Sequence, residues 1–181
     1  MGRLNRSQGA EFKCSDFLWD NLVASKRAWV LSKGAFDPSI RPLMKVWNFR
    51  EKRLKLPAQE VIDQAKALIG FEKIQLNDKT KTVMLPAGMK LDFGAIGKGY
   101  AVDLAMNYLK QQGVQRALID LGGNMACLGT PPPEHKSYRL GVRHPVKEKG
   151  VMAEVKLLDQ AIATSGNYHQ YHIIDGQRYA H

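Results

Sequence analysis

The chain has 181 residues, a length that suits one globular domain with room for a sizeable core. Its net charge at pH 7 is +10, but basic and acidic residues are interspersed and no helix is studded with Lys and Arg, which disfavours nucleic-acid binding. No apolar run of about 18 residues is present, so we expect no transmembrane helix. The polar N-terminus lacks a signal-peptide pattern, so the chain as it stands is expected to be cytoplasmic, unless an export segment is absent from it.

The cysteines and histidines show no metal-binding spacing. Cys14 and Cys127 fit no CxxC pattern, so we expect free thiols rather than a disulfide framework, with a single bond as the alternative. His169 and His172 are three residues apart, and on a strand such residues point to opposite faces. We therefore do not expect these two histidines to ligate a metal together.

Apolar periodicity predicts three helices. The first covers residues 15–33, with Ser15 as its N-cap and Gly34 after its last turn. The second begins at Pro57, a residue suited to a first helical turn, and its apolar stripe continues until Gly70. The third covers residues 99–112 and is ended by the glycine that follows it.

Strands are predicted between and after these helices. Residues 71–86 alternate in polarity around a turn at Asn77-Asp78, which indicates a hairpin. The last third of the chain contains short strands separated by Gly and Pro, and the final pair turns on Asp175-Gly176. Because helices alternate with antiparallel hairpins rather than single buried strands, the pattern favours an α+β fold over a doubly wound sheet. No internal repeat is visible, so residues 1–181 are expected to form a single domain.

The stretch "KLDFGAIGKGYAVD", residues 90–103, places three glycines and a lysine directly before the third helix. It lacks the GxxxxGK spacing of a P-loop, and Val102 occupies the third position of a dinucleotide fingerprint. Glycines at a helix N-terminus nevertheless let backbone N–H groups face an anion, and Lys98 adds a positive charge there. The alternative is a tight strand-to-helix turn, with Asp103 as a solvated acid in the first helical turn.

Three further turns combine glycine with polar side chains. They are "GAFDP" (residues 34–38), "LGGN" (residues 121–124) and "ATSG" (residues 163–166). Each alone is more typical of a simple turn than of a site. Together with residues 90–103 they predict a binding site in which flexible backbone approaches a ligand.

The order of these stretches resembles the ApbE family, the flavin:protein FMN transferases. The chain contains "GAFDP", "LDFGAIGKGYAVD", "DLGGN", "ATSGNY" and "DGQRYAH", in the order in which the family pattern has its counterparts. The resemblance runs from about Leu4 to the last residue. It implies an α+β, ApbE-like domain related to the T-fold, with antiparallel and mixed sheets flanked by helices.

The resemblance also implies an activity. Family members use Mg²⁺ and transfer FMN from FAD to a Thr or Ser hydroxyl of an acceptor flavoprotein, and AMP leaves. FAD and the acceptor flavoprotein are the implied partners, and nucleic acid is not among them. A full-length relative would act in the periplasm or cell envelope.

Carried over position by position, the resemblance implies roles for nine residues of this chain. A histidine, His181, would help activate the acceptor hydroxyl, and the carbonyl oxygen of Ala95 would be a metal ligand. The flavin would be lined by Ala35, Phe36 and Asp37, in the turn of the first motif. The sugar and phosphates of FAD would be held by Asp92 and Lys98, in the glycine-rich stretch. Thr164 and Ser165, in the "ATSG" turn, would also bind FAD.

The chain departs from the family pattern in several places. Gly97 stands where alanine is usual, and Asp120 stands where asparagine is common. The segment that normally precedes Leu4 and the "IIDPxTG" segment that supplies metal ligands are expected to be absent. An alternative function is therefore a truncated FAD-binding protein without transferase activity. A hypothesis from another class is a basic adaptor that binds acidic proteins or nucleic acid, which the five ordered motifs disfavour.

Overall fold

The computed structural model of the protein describes residues 1–49, 51, 54–131, 135–145, 147, 150–166 and 170–180. Within these residues the chain is α+β, with four α-helices and ten short strands, as the sequence predicted. Its internal contacts divide into two compact units, one formed by residues 1–96 with 170–181 and the other by residues 97–169. The expectation of a single domain over residues 1–181 stays a prediction. Within the described residues, no helix is both long and apolar enough to cross a membrane.

The first unit is built around helix α1 (Asp16–Leu31). Ser15 caps this helix as predicted, because its Oγ accepts a hydrogen bond of 3.4 Å from the backbone N–H of Leu18. One face of α1 packs into a core that also takes side chains from the N-terminal segment and from the chain between the second and third predicted helices. The largest fully buried apolar members of this core are Leu4, Leu22, Val83, Leu85 and Leu91.

Two small sheets belong to the first unit. Strands β1 (Phe12–Lys13), β2 (Gln75–Asn77) and β3 (Thr82–Met84) pair antiparallel in the order β1-β3-β2. The predicted hairpin is confirmed, although its turn takes up the four residues between Asn77 and Thr82. Strands β9 (Tyr171–Ile174) and β10 (Gln177–Ala180) form the other predicted hairpin.

The turn between β9 and β10 has the conformation that its sequence predicts. Asp175 and Gly176 both have positive φ, 50° and 75°. Two successive residues with positive φ match the right-handed twist of a two-residue hairpin, and Asp-Gly is a preferred pair for this turn.

Helices α2 (Arg41–Trp47) and α3 (Gln59–Ala67) complete the first unit. The sequence predicted α3 from Pro57 and placed no helix over α2. Helix α2 has only seven residues, too few for its half-buried Leu43, Val46 and Trp47 to establish a helical period in the sequence. Its C-cap, Asn48, is left-handed, with φ 42° and ψ 62°.

The second unit consists of helix α4 (Gly97–Gln111) and two antiparallel sheets. Helix α4 covers one face of the sheet β4-β5-β8, formed by Ala117–Leu121, Asn124–Leu128 and Ala161–Ala163, and a small core lies between them. Strands β6 (Tyr138–Arg143) and β7 (Val151–Leu157) pair as a separate ribbon. The helix begins two residues earlier than predicted, so Gly97 and Lys98 lie inside its first turn.

Candidate functional site

The "GAFDP" turn is fixed by the side chain of Asp37. Its Oδ1 accepts hydrogen bonds from the N–H of Ser39 at 2.8 Å and from the Ser39 hydroxyl at 2.6 Å, and its Oδ2 accepts from the N–H of Phe71 at 2.9 Å. The buried Ser39 Oγ in turn accepts from the N–H of Gly70 at 2.8 Å. We call Asp37, Ser39, Gly70 and Phe71 the carboxylate clamp. Both oxygens of Asp37 are therefore engaged by the protein itself.

The other two predicted flavin-lining residues lie on the same turn. Ala35 is exposed, and Phe36 is half-buried with its N–H donating to Ser32 Oγ at 2.9 Å. The clamp holds this turn against the backbone of Gly70 and Phe71. The positions of Ala35 and Phe36 thus depend on Asp37.

The "LDFG" stretch runs beside the "GAFDP" turn. Ile40 and Lys90 form a parallel β-bridge, and the N–H of Asp92 donates to the carbonyl of Pro38 at 2.7 Å. The fold therefore brings two motifs together that are more than fifty positions apart in the chain. The side chain of Asp92 lies at this junction.

Two partners orient the Asp92 carboxylate. Arg41 Nη1 lies 3.0 Å from its Oδ2, and the N–H of Gly94 donates to its Oδ1 at 2.7 Å. A Cβ at position 94 would stand 2.8 Å from Asp92 Oδ1, so any other residue here would force the carboxylate out of this position. The first glycine of the "GAIGKG" stretch thus serves the neighbouring aspartate.

A cavity of about 800 Å³ opens next to this carboxylate within the first unit. Its polar lining contains three basic side chains and one acidic one, a balance that suits an anionic ligand. Among the lining residues are Arg41, Lys45, Asn48, Phe49, Lys90 and Asp92.

Three other motifs meet within the second unit. Lys98 Nζ donates to the carbonyl of Gly122 at 3.2 Å, and the N–H of Thr164 donates to the carbonyl of Gly123 at 3.0 Å. The start of α4, the "LGGN" turn and the "ATSG" turn are therefore neighbours, as the prediction of a shared site requires. Lys98, Thr164 and Ser165 are all exposed and accessible to a ligand.

The predicted metal ligand, Ala95, and the predicted catalytic residue, His181, both stay predictions. Ala95 is exposed just before α4, and its carbonyl is a single oxygen donor. Among the residues that the structure describes, no three His, Cys, Asp or Glu side chains are grouped to hold a metal ion. Mg²⁺ is six-coordinate but keeps several waters and takes substrate phosphate oxygens as ligands, so the Ala95 carbonyl is the kind of protein oxygen of which such a site needs only a few. His181, the predicted catalytic residue, lies outside the described residues.

Sequence reasoning missed two residues at this site. Ser39 follows Asp37 by two positions, a spacing at which an aspartate side chain accepts from the backbone of the following turn, and this signal could have shown the local half of the clamp. No local sequence pattern indicated a role for Arg41, because its partner Asp92 is distant in the sequence. The free-thiol prediction is confirmed, since Cys14 and Cys127 are both buried and neither forms a disulfide.

The α+β fold and the order of the five motifs are features that this chain shares with one known family. The sequence profile of the ApbE family matches residues 1–181. The chain belongs to the ApbE family.

Curated relatives carry the name FAD:protein FMN transferase. The Salmonella typhimurium protein is 30% identical over 186 residues, which cover 99% of this chain and 53% of that relative. A Klebsiella pneumoniae protein is 34% identical over 162 residues, covering 88% of this chain and 49% of that relative. The chain thus spans about half the length of the curated relatives that it matches.

Solved structures show the same fold. An ApbE protein from Thermotoga maritima superposes with a TM-score of 0.87 and 29% identity, over 99% of this chain and 59% of that chain. The apo form of the flavinyl transferase ApbE from Pseudomonas stutzeri gives a TM-score of 0.78 and 29% identity, over 92% of this chain and 52% of that chain. The predicted fold class is therefore confirmed.

Proposed function

We propose that this chain acts in a FAD:protein FMN transferase, in which it binds FAD for transfer of the FMN moiety to a protein. The observation that carries the proposal is the junction of the two motifs in the first unit, where Asp92 and Pro38 are joined by a backbone hydrogen bond of 2.7 Å beside a basic cavity. The names of the curated relatives support the same function.

The proposed reaction is a phosphoryl transfer. A Thr or Ser hydroxyl oxygen of the acceptor flavoprotein attacks the phosphorus of the FMN half of FAD, and a new phosphoester bond forms. The bond from that phosphorus to the bridging oxygen breaks, and AMP leaves with the bridging oxygen and its electron pair. The proton of the hydroxyl passes to a base, a role proposed for His181 because a histidine titrates near neutral pH. Dependence on Mg²⁺ belongs to the same proposal.

The chain's own residues bind and orient FAD in this proposal. Ala35 and Phe36 line the flavin on the turn that Asp37 holds in place. Asp92, with its carboxylate oriented by Arg41, accepts hydrogen bonds from sugar hydroxyls. In the second unit, Lys98 contributes a charge-assisted contact to a phosphate at the first turn of α4, where the helix dipole also favours an anion. Thr164 and Ser165, exposed in the same unit as Lys98, offer hydroxyl groups to a ligand bound there.

The alternative of an FAD-binding protein without transferase activity shares this binding step and differs in the transfer. Incubation of the chain with FAD, Mg²⁺ and an acceptor flavoprotein separates the two, with flavin fluorescence on a denaturing gel and release of AMP as readouts. A fluorescent acceptor band that disappears with EDTA supports the transferase. FAD binding without a labelled band supports the alternative.

A Lys98→Met variant tests the binding step itself. The substitution keeps most of the side-chain bulk and removes the charge, and a hydrogen bond to a charged group contributes about 1.5–3 kcal/mol. We therefore expect FAD to bind roughly ten- to a hundredfold more weakly, as measured by fluorescence titration. Riboflavin has no phosphate and should bind as it does to the unmodified chain. Equal losses for both ligands, or no loss for FAD, would contradict a phosphate contact at Lys98.

A further inference from the structure

Four aromatic rings connect helix α2 with the hairpin β9–β10. Trp47 and Phe49 are parallel within 2° with centroids 5.9 Å apart, and Tyr179 stacks on Trp47 at 5.7 Å. His172 stacks on Phe49 at 4.9 Å with an interplanar angle of 18°. We call Trp47, Phe49, His172 and Tyr179 the aromatic clasp. It joins the end of a helix to a hairpin that follows it by more than 120 residues.

His172 makes a second contact with the same segment. Its Nε2 lies 2.9 Å from the carbonyl oxygen of Trp47, and the residue is only 3% exposed. A carbonyl oxygen can only accept, so the Nε2 atom carries the proton and donates. One buried side chain thus fixes both the Trp47 backbone and the Phe49 ring.

Helix α2 depends on such contacts for its position. It has seven residues, none of them buried, and a helix of this length is not stable by itself in water. Beyond its last residue the chain turns through the left-handed Asn48. The clasp therefore restrains the segment at the point where regular helical hydrogen bonding ends.

The restrained segment is also a wall of the cavity beside Asp92. Met44, Lys45, Asn48 and Phe49 all line that cavity. A shift of the Trp47 carbonyl or of the Phe49 ring would move this wall relative to the Asp92 carboxylate, which also lines the cavity.

We propose that His172 is a positioning residue for this cavity: through the Trp47 carbonyl and the Phe49 ring, the hairpin β9–β10 sets the shape of the ligand-binding wall. The identity of the ligand as FAD rests on the proposed function. The position of the wall does not, and it can be measured without any ligand.

The test uses two variants and a matched control. His172→Leu removes both the ring and the N–H donor, whereas His172→Gln keeps an N–H donor in a side chain of similar reach. Ile173→Ala changes the neighbouring residue on the same strand, whose side chain is 61% exposed and points away from the clasp. The rate of amide hydrogen exchange in the peptide containing Asn48 and Phe49 measures how firmly the cavity wall is held. Titration of the folded protein with FAD measures the affinity of the cavity.

We expect His172→Leu to speed exchange at Asn48 and Phe49 and to weaken FAD binding by at most roughly fivefold, because one net intramolecular hydrogen bond is the most that FAD binding would have to restore. His172→Gln should recover part of both effects, and Ile173→Ala should change neither. Unchanged exchange at Asn48 and Phe49 in His172→Leu would overturn the inference. Faster exchange spread equally over α1, with FAD affinity of the folded molecules unchanged, would also overturn it, because it would indicate general destabilisation. If the unmodified chain does not bind FAD, the proposed function fails and the exchange data alone decide the inference.

Discussion

At the scale of single residues, Asp37 shows how a motif side chain can serve the fold and the site together. The resemblance to the family implies that it lines the flavin, and in the structure its two oxygens accept from Ser39 and Phe71. A carboxylate that accepts three hydrogen bonds has little capacity left for a ligand. We infer that Asp37 supports flavin binding by holding Ala35 and Phe36 in place.

An Asp37→Ala variant should therefore lose stability. Removing the carboxylate leaves the Ser39 hydroxyl and the N–H of Phe71 without their acceptor in a mostly buried setting, so we expect the free energy of unfolding to fall by roughly 2–4 kcal/mol. Urea denaturation followed by circular dichroism measures this change. Asp78→Ala, at an exposed position in the β2–β3 turn, is the control and should stay within about 0.5 kcal/mol of the unmodified chain. A loss of flavin affinity with full stability would instead show that Asp37 contacts the ligand.

At the scale of the elements, glycines at strand ends differ in what they contribute. Gly129 follows β5 with a φ of 63°, and a Cβ there would stand 2.3 Å from the backbone oxygen of Gln115. Gly176, in the β9–β10 turn, has a similar φ of 75°, but a Cβ added there would have no atom within 4 Å. The two positions thus share the left-handed backbone and differ only in the surrounding space.

This pair predicts unequal costs for the same substitution. Gly176→Ala should lower the free energy of unfolding by about 1–2 kcal/mol, the cost of a left-handed backbone for a residue with a Cβ. Gly129→Ala should cost several kcal/mol more, because a backbone atom cannot move aside as a flexible side chain can. Thermal and urea denaturation of the two variants check the difference. Equal losses would mean that the loop after β5 relaxes freely.

At the scale of the whole molecule, the two compact units have cores of different size. The first unit buries a large apolar cluster that includes Leu22 and Phe71, whereas the described core of the second unit consists of Val102, Met106 and Ala126 with partly buried neighbours. Buried apolar area contributes about 25 cal/mol per Å², so the first unit has the larger share of this stabilisation. Each unit also contains one buried free thiol, Cys14 in the first and Cys127 in the second.

The two thiols allow the units to be followed separately during unfolding. Both are shielded from reagents in the folded protein, and burial also raises the pKa of Cys14, which leaves less reactive thiolate. We expect Cys127 to become reactive at a lower urea concentration than Cys14, as measured by pulsed alkylation and mass spectrometry. The same midpoint for both thiols would favour the single cooperative domain that the sequence predicted.

The sequence by itself determined the features that depend on nearby residues. The apolar stripes and caps predicted helices α1, α3 and α4 within two residues at their N-termini, and Asp175-Gly176 predicted a tight hairpin turn. The ordered glycine motifs indicated the ApbE family. These signals are local because helix periodicity, capping and turn geometry act over a few positions of the chain.

Only the tertiary structure decided how distant positions meet. The Phe71 N–H that completes the carboxylate clamp lies 34 positions from Asp37, and the Arg41 partner Asp92 lies 51 positions away. Helix α2, with no fully buried residue, is held by contacts with distant parts of the chain, among them the Arg41–Asp92 ion pair and the aromatic clasp. Such contacts form only when the chain brings the partners together, so no periodicity or local spacing encodes them, and Arg41, Phe49 and Asp92 line one cavity only in the folded chain.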